Sequence, residues 1–94
     1  MRSEKNVREA IDKYSDMIMR ISMTHLKNIQ DTEDVFQEVF LKYAQSDTTF
    51  DSDEHEKAWL IRVTVNCCKD NLKSFFRKNT LPIDDYLNWI SFNK

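Results

Sequence analysis

The sequence predicts an all-α fold, a bundle of three helices followed by a short C-terminal tail. The 94-residue chain contains no glycine and one proline, which argues against tight hairpins and glycine-rich phosphate-binding loops. Apolar residues recur at helical spacing in three segments, near residues 4–27, 32–45 and 53–78. A single domain of this length buries about two-thirds of its unfolded surface and folds unaided.

The first helix is predicted over residues 4–27. Its apolar residues recur at intervals of four and three, which places them on one face. They are Val7, Ile11, Tyr14, Ile18 and Ile21. His25 continues this spacing, and we expect it to be a hydrogen-bonded residue at the helix end rather than a ligand.

The second helix is predicted over residues 32–45, with Asp31 as its N-cap. Its apolar face holds Val35, Phe36, Val39, Phe40 and Tyr43. Its polar face holds Asp34, Gln37, Glu38, Leu41 and Gln45. Leu41 is a large apolar residue set among acids. Either it is one of the exposed leucines common on protein surfaces, or it is the apolar anchor of a docking face.

The third helix is predicted over residues 53–78, a run of about seven turns without glycine or proline. More than half of its circumference is apolar, so we expect a largely buried helix with neighbours on two sides. The predicted core combines residues of the second and third helices, namely Phe36, Phe40, Trp59, Leu60 and Val63. Its first turn has two candidate capping boxes, Asp51 with Glu54 and Asp53 with Glu56.

A narrow basic stripe runs along this third helix within roughly 80° of arc. It consists of Arg62, Asn66, Lys69, Lys73 and Arg77. The stripe either presents cations to a polyanion or is the solvated face of the helix. Residues 28–56 hold nine acids and a single lysine, whereas residues 57–78 hold six basic residues and a single aspartate. This asymmetry is typical of a module with two oppositely charged partners, or of helices that neutralise each other.

Several classes of protein have no signature here. No apolar run is long enough to span a membrane, and the N-terminus has no signal-peptide core. Cys67 and Cys68 are adjacent, which is poor geometry for a mutual disulfide or a metal site. No catalytic constellation is visible. We expect a cytoplasmic protein with reduced thiols that is not an enzyme and needs no cofactor or metal.

Two motifs stand out in the second and third helices. The first is acid-acid-apolar-apolar-Gln-Glu-x-Phe, and residues 33–40 read EDVFQEVF. The second begins Trp-Leu-x-Arg and continues to Asn and Asp, and residues 59–70 read WLIRVTVNCCKD. In this order the two motifs resemble region two of bacterial RNA polymerase sigma factors of the extracytoplasmic-function (ECF) type, and the spacing from Phe50 to Trp59 also fits. The resemblance covers residues 7 to about 80.

The resemblance implies that the acidic helix docks on the clamp coiled coil of the β′ subunit of core RNA polymerase. The residues that would face polymerase are Asp34, Gln37, Glu38 and Leu41. It also implies that the third helix and the preceding loop recognise and melt the promoter minus-ten element. The residues that would face DNA are Phe50, Arg62, Asn66, Lys69, Lys73 and Arg77. The loop of residues 46–52 would hold a flipped base of the non-template strand, and an anti-sigma factor is a further expected partner.

The resemblance also implies domain boundaries. Residues 1–80 would form region two, and residues 81–94 would be a linker toward a second helical domain that is absent from the chain and reads the minus-thirty-five element. We expect Pro82 to end the third helix, and Trp89 and Phe92 to dock on the bundle or on a partner. The alternative is a sigma-like protein-interaction module that binds polymerase or a regulator without DNA.

Overall fold

The structure, a computed structural model, describes residues 1–78, with side chains through residue 75. It contains three helices, α1 (Glu4–Leu26), α2 (Ile29–Gln45) and α3 (Asp53–Lys78), and every pair of helices is in contact. The described residues include no strand. The predicted all-α, three-helix bundle is therefore confirmed. The predictions for Pro82, Trp89 and Phe92 lie outside the described residues.

Short polar side chains begin and end α1. The Ser3 hydroxyl caps the N-terminus by accepting a hydrogen bond from the Asn6 amide at 3.1 Å. At the other end, Lys27 adopts the left-handed conformation (φ 58°) and its N–H donates to the Met23 carbonyl. In a chain without glycine, lysine takes this position at a cost of about 1–2 kcal/mol. The His25 ring nitrogen Nδ1 lies 2.9 Å from the Ile21 carbonyl, which confirms its place as a bonded residue near the helix end.

The prediction that Asp31 caps α2 is wrong. The helix begins at Ile29, and Asn28 is the N-cap, since its side-chain oxygen accepts from the Asp31 amide at 2.8 Å. The Asn28 side-chain nitrogen also donates to the Asp31 carboxylate at 2.7 Å. Asparagine is as good a cap as aspartate, and here it leaves Asp31 in the first turn, where a carboxylate complements the helix dipole.

The structure forms neither of the capping boxes predicted for α3, Asp51 with Glu54 or Asp53 with Glu56. The Ser52 hydroxyl caps the helix instead, accepting from the His55 amide at 3.1 Å. The His55 ring makes a second hydrogen bond at this helix end, since its Nδ1 accepts from the Asp51 amide at 3.1 Å. The carboxylates of Asp53 and Glu56 bind groups of other helices, Lys13 at 2.9 Å and Tyr43 at 2.8 Å, respectively.

The core lies along the line where the three helices meet. Its largest fully buried side chains include Ile18, Val35, Val39, Tyr43 and Leu60. Among the predicted core residues, Leu60 and Phe40 are buried, whereas Phe36, Trp59 and Val63 are partly buried and pack against the core.

Three small polar residues, Ser22, Thr32 and Thr64, are also buried and were not predicted. The two threonine hydroxyls donate to carbonyls one turn earlier, to Asn28 at 2.7 Å and to Leu60 at 2.6 Å. Satisfied in this way, a threonine packs like a small apolar residue.

The buried residues of α3 lie in the middle of the helix. The helix packs against both α1 and α2, as predicted, and its buried residues are Leu60, Thr64, Cys67 and Cys68. Toward the C-terminal end Phe75 is 48% exposed. Within residues 1–78, no helix has the length and apolar character required to cross a membrane.

Both cysteines are free and buried, as expected for reduced core thiols. Burial raises the pKa of the Cys67 thiol and of the Cys68 thiol. A raised thiol pKa lowers the fraction of reactive thiolate, so these residues act as small core side chains.

Candidate nucleic-acid interface

The basic stripe lies on the exposed side of α3. Leu60, Thr64 and Cys67 turn inward, and the opposite side of the same turns presents the stripe to solvent. All four members whose side chains are described are exposed, namely Arg62, Asn66, Lys69 and Lys73. Arg77, the fifth predicted member, lies in the last turn of α3, and its side chain is outside the description. The structure therefore brings the described members together on one rigid face.

Three cations of this stripe, Arg62, Lys69 and Lys73, have no internal partner among the described residues. No hydrogen bond or ion pair of residues 1–75 involves the side chains of Arg62, Lys69 or Lys73. Elsewhere, Lys13 binds Asp53 and Lys42 lies 3.5 Å from Glu38. The stripe thus holds positive charge that the fold itself does not neutralise, which is what an anion-binding face requires.

The loop of residues 46–52 joins the end of α2 to the start of α3, at one end of the stripe-bearing helix. Ser46 shapes its first turn. The Ser46 amide donates to the carbonyls of Lys42 and Tyr43, and its hydroxyl accepts from the Thr48 amide at 3.1 Å. The Ser46 hydroxyl also donates to the Thr48 hydroxyl at 2.9 Å. The hydroxyl groups of Ser46 and Thr48 thereby fix the first turn of the loop.

Phe50 anchors this loop in an aromatic cluster. Its ring is partly buried and lies 5.2 Å from the His55 ring, 5.7 Å from Trp59 and 6.3 Å from Tyr43, measured between centroids. Edge-to-face and stacked contacts of this kind stabilise the packing beyond their buried area. Phe50 therefore holds the loop against the core, and its predicted contact with DNA stays a prediction.

Arg2, in the N-terminal segment, contacts the same loop and stabilises it. Its guanidinium donates to the carbonyl of Tyr43 at 3.0 Å, to the carbonyl of Thr48, and to the side-chain oxygen of Asn6 at 3.4 Å. The guanidinium carbon lies 4.4 Å from the centroid of the Tyr43 ring and 4.9 Å from that of Phe50. The Arg2 amide also donates to the Ala44 carbonyl at 2.8 Å. Arg2 was not predicted, because its partners in α2 and the loop, Tyr43 and Thr48, lie more than 40 positions away along the chain.

An open pocket of about 490 Å³ lies between the N-terminal segment, the loop and the start of α3. Its walls are mostly polar and combine hydroxyls, carboxylates, an amide and a guanidinium. They are formed by Met1, Arg2, Asn6, Ser46, Asp47, Thr48, Thr49, Phe50, Ser52, Asp53 and Glu56. The N-terminal amino group lies 3.0 Å from the Asp47 carboxylate and lowers the pKa of that carboxyl group.

The residues predicted to face polymerase form an exposed patch on α2. Asp34, Gln37, Glu38 and Leu41 lie three, four and seven positions apart, so they share one side of the helix, and all are exposed. Leu41 is 56% exposed. The ion pair of Glu38 with Lys42 was not predicted, although its spacing of four residues is a recognised signal.

No group of three or more His, Cys, Asp or Glu side chains in residues 1–75 is arranged to hold a metal ion. The Tyr43 hydroxyl donates to the Glu56 carboxylate and joins α2 to α3, and Glu56 also lines the pocket.

Comparison with known proteins assigns the family. The model of the sigma-70 region 2 family matches residues 10–79. The ECF RNA polymerase sigma factor SigW of Bacillus subtilis (strain 168) is 28% identical over 65 residues, which cover 69% of this chain and 35% of SigW. No solved structure matches the chain. The family match takes in all of α2, the loop and α3. The chain therefore belongs to the sigma-70 region 2 family, and its similarity to SigW supports the ECF type within that family.

Proposed function

We propose that this domain initiates transcription by binding core RNA polymerase through α2 and by recognising and melting the promoter minus-ten element through α3. The observation that carries the proposal is the row of exposed cations, Arg62, Lys69 and Lys73, that have no partner in residues 1–75. They lie within the part of the chain that matches the sigma-70 region 2 family.

The stripe is suited to a nucleic-acid strand. Each cation close to a phosphate displaces condensed counterions, which supplies affinity that does not depend on sequence. Asn66 lies among the cations and offers both a donor and an acceptor, so it is the member that reads a base. The loop of residues 46–52 then holds an unstacked base of the non-template strand, a role proposed from the family resemblance.

The α2 patch is suited to a basic coiled coil, the clamp of the β′ subunit. Asp34 and Glu38 supply negative charge that complements such a partner, and Leu41 supplies an apolar centre that becomes desolvated on docking. The Glu38–Lys42 pair is exposed, so it is easily opened or shared. An anti-sigma factor is proposed as a further partner, by family resemblance alone.

The two surfaces depend on each other electrostatically. The net charge of the chain is −2, which opposes binding of DNA to the isolated domain. Docking on polymerase covers the acidic patch of α2 and leaves the basic stripe of α3 exposed. We therefore expect the domain alone to bind minus-ten single strands weakly and its complex with core polymerase to bind them more strongly. This role places the protein in the cytoplasm.

The experiment measures two steps that the domain performs itself. Purified chain is mixed with core polymerase, and binding is measured by fluorescence anisotropy of a label on the chain. Labelled short single strands are then titrated with the complex and with each component alone. The proposal predicts a complex that binds strands more tightly than either component. Binding to polymerase without any gain in strand binding would favour the interaction module, and binding to neither would refute the proposal.

A further inference from the structure

The Arg2 guanidinium is held in a fixed orientation at the wall of the pocket. Three acceptors from α1, α2 and the loop fix its edges, namely Asn6, Tyr43 and Thr48. The rings of Tyr43 and Phe50 are parallel to within 3°, and both lie within 5 Å of the guanidinium carbon. These contacts fix the position of a planar guanidinium group that a free arginine side chain would move through many rotamers.

Arg2 is nevertheless accessible. Its side chain is only partly buried, and it is one of the residues that line the pocket of about 490 Å³. Phe50 already contacts Tyr43, His55 and Trp59, so its ring is engaged within the protein. The pocket therefore offers a ligand a guanidinium group that contacts two aromatic rings within the protein.

Guanidinium planes stack on nucleobases, and a base gains further energy from a cation over its π-face. The remaining walls supply hydroxyls and carboxylates that reach the edges of a base, including those of Thr49 and Glu56. Planar stacking together with edge acceptors is the chemistry of a site for an unstacked base.

We propose that Arg2 is the stacking platform for the extruded base in this pocket. This inference rests on the proposed function, because it needs a single strand bound along α3. It assigns the contact to the N-terminal segment, outside residues 10–79 that match the family. It also gives Phe50 a supporting role beneath the guanidinium.

The test uses the complex of the full chain with core polymerase. The single strand that binds best is selected from a randomised pool and then carries one abasic residue at each position in turn. For the unmodified chain, one position loses about tenfold in affinity when its base is removed. In Arg2→Ala and in Arg2→Lys that loss disappears, while the losses at other positions remain. Lysine keeps the charge and lacks the plane, so it separates stacking from simple attraction.

The matched control is Arg8→Ala, which removes an exposed arginine near the start of α1 that pairs with Glu4. We expect this variant to show the same loss of affinity as the unmodified chain when the base at that one position is removed.

The same loss of affinity in Arg2→Lys would show that charge suffices and would overturn the stacking role. If the Arg2 variants reduce the loss of affinity equally at every position, Arg2 only supports the loop and does not stack on a base. If the unmodified complex binds strands but no position responds to base removal, the pocket holds no base, although the phosphate contacts of α3 stand. If it binds no strand, the proposed function fails and this inference fails with it.

Discussion

The hydroxyl of Tyr43 donates a hydrogen bond to the Glu56 carboxylate at 2.8 Å and joins the end of α2 to the first turn of α3. The side-chain oxygen of Asn6, on α1, lies 3.2 Å from the same hydroxyl. Tyr43 is fully buried, so the three helices meet at one phenol group. This junction fixes the acidic patch of α2 relative to the basic stripe of α3.

Replacing Tyr43 with Phe removes the hydroxyl group that donates to the Glu56 carboxylate, so the carboxylate loses this hydrogen bond. We expect the free energy of unfolding to fall by about 1.5–3 kcal/mol, the range for hydrogen bonds to charged groups. Urea unfolding followed by circular dichroism measures it. Tyr14→Phe is the matched control, since the bond of the Tyr14 hydroxyl to the Asp53 carbonyl is longer, at 3.4 Å, and its loss should cost less. Equal effects of both changes would contradict a special role for the junction.

The same junction predicts a dependence on pH. Burial, with the Glu56 carboxylate nearby, raises the pKa of Tyr43 from 10.0 to about 12. Above pH 10.0 the unfolded chain loses this proton and the folded chain keeps it. The stabilising contribution is therefore complete below pH 10.0 and is lost as pH rises toward about 12. We expect the unmodified chain to lose about 2–3 kcal/mol more across this window than Tyr43→Phe does. Parallel curves for the two proteins would contradict the assignment.

The apolar spacing of the sequence was sufficient to predict three helices, because each buried face repeats regularly over several turns. It placed Leu60 and Phe40 in the core correctly. It failed at helix ends, where several short polar side chains compete for one cap. Asn28 and Ser52 took positions for which aspartates were expected, and only the geometry of the first turn distinguishes such candidates.

The stripe and the acidic patch were also predicted, since residues on one helix keep their spacing whatever the tertiary fold. Only one part of the pocket was predicted, namely the loop of residues 46–52. The residues that line the rest of it were not. Arg2 and Asn6 reach it from the other end of the chain, and no periodicity links them to the loop. Sites assembled from distant segments depend on packing, which a single sequence does not display.

Leu60 tests the position of the core. It is fully buried in the N-terminal half of α3, so Leu60→Ala should lower the free energy of unfolding by about 2–5 kcal/mol. Leu41→Ala is the matched control on an exposed position and should cost much less. Chemical unfolding followed by circular dichroism gives both values. Similar losses at the two leucines would mean that the burial described for α3 is wrong.

Leu41 and Glu38 test the docking face. We expect Leu41→Ala or Glu38→Lys to weaken binding to core polymerase by about 1–3 kcal/mol without changing the fold, because both act at the surface. Anisotropy titration measures the binding, and thermal unfolding checks the fold. Ile29→Ala and Glu9→Lys are controls, since Ile29 is 54% exposed elsewhere on α2 and Glu9 is exposed on α1. Unchanged affinity in both test variants would remove this face from the interface.

Asn66 tests base recognition by α3. Asn66→Ala removes a donor and an acceptor but no charge, so it should relax the preference at one position of the strand and leave the salt dependence unchanged. Selection from a randomised pool of single strands, bound by the complex with polymerase, reveals the preference. Asn71→Ala is the control, because Asn71 lies on another side of the same helix. A preference identical to that of the unmodified chain would exclude Asn66 as a reader.

The salt dependence of strand binding by the complex with core polymerase tests the central claim most directly. If Lys69 and Lys73 contact phosphates, each change to alanine should weaken binding to all sequences alike and reduce the slope of log affinity against log salt by about 0.7. Lys57→Ala is the matched control, because this exposed lysine lies on another side of α3. It should leave the slope unchanged. If Lys69→Ala and Lys73→Ala alter neither the slope nor promoter opening, the stripe is only the solvated face of a helix and the account is wrong.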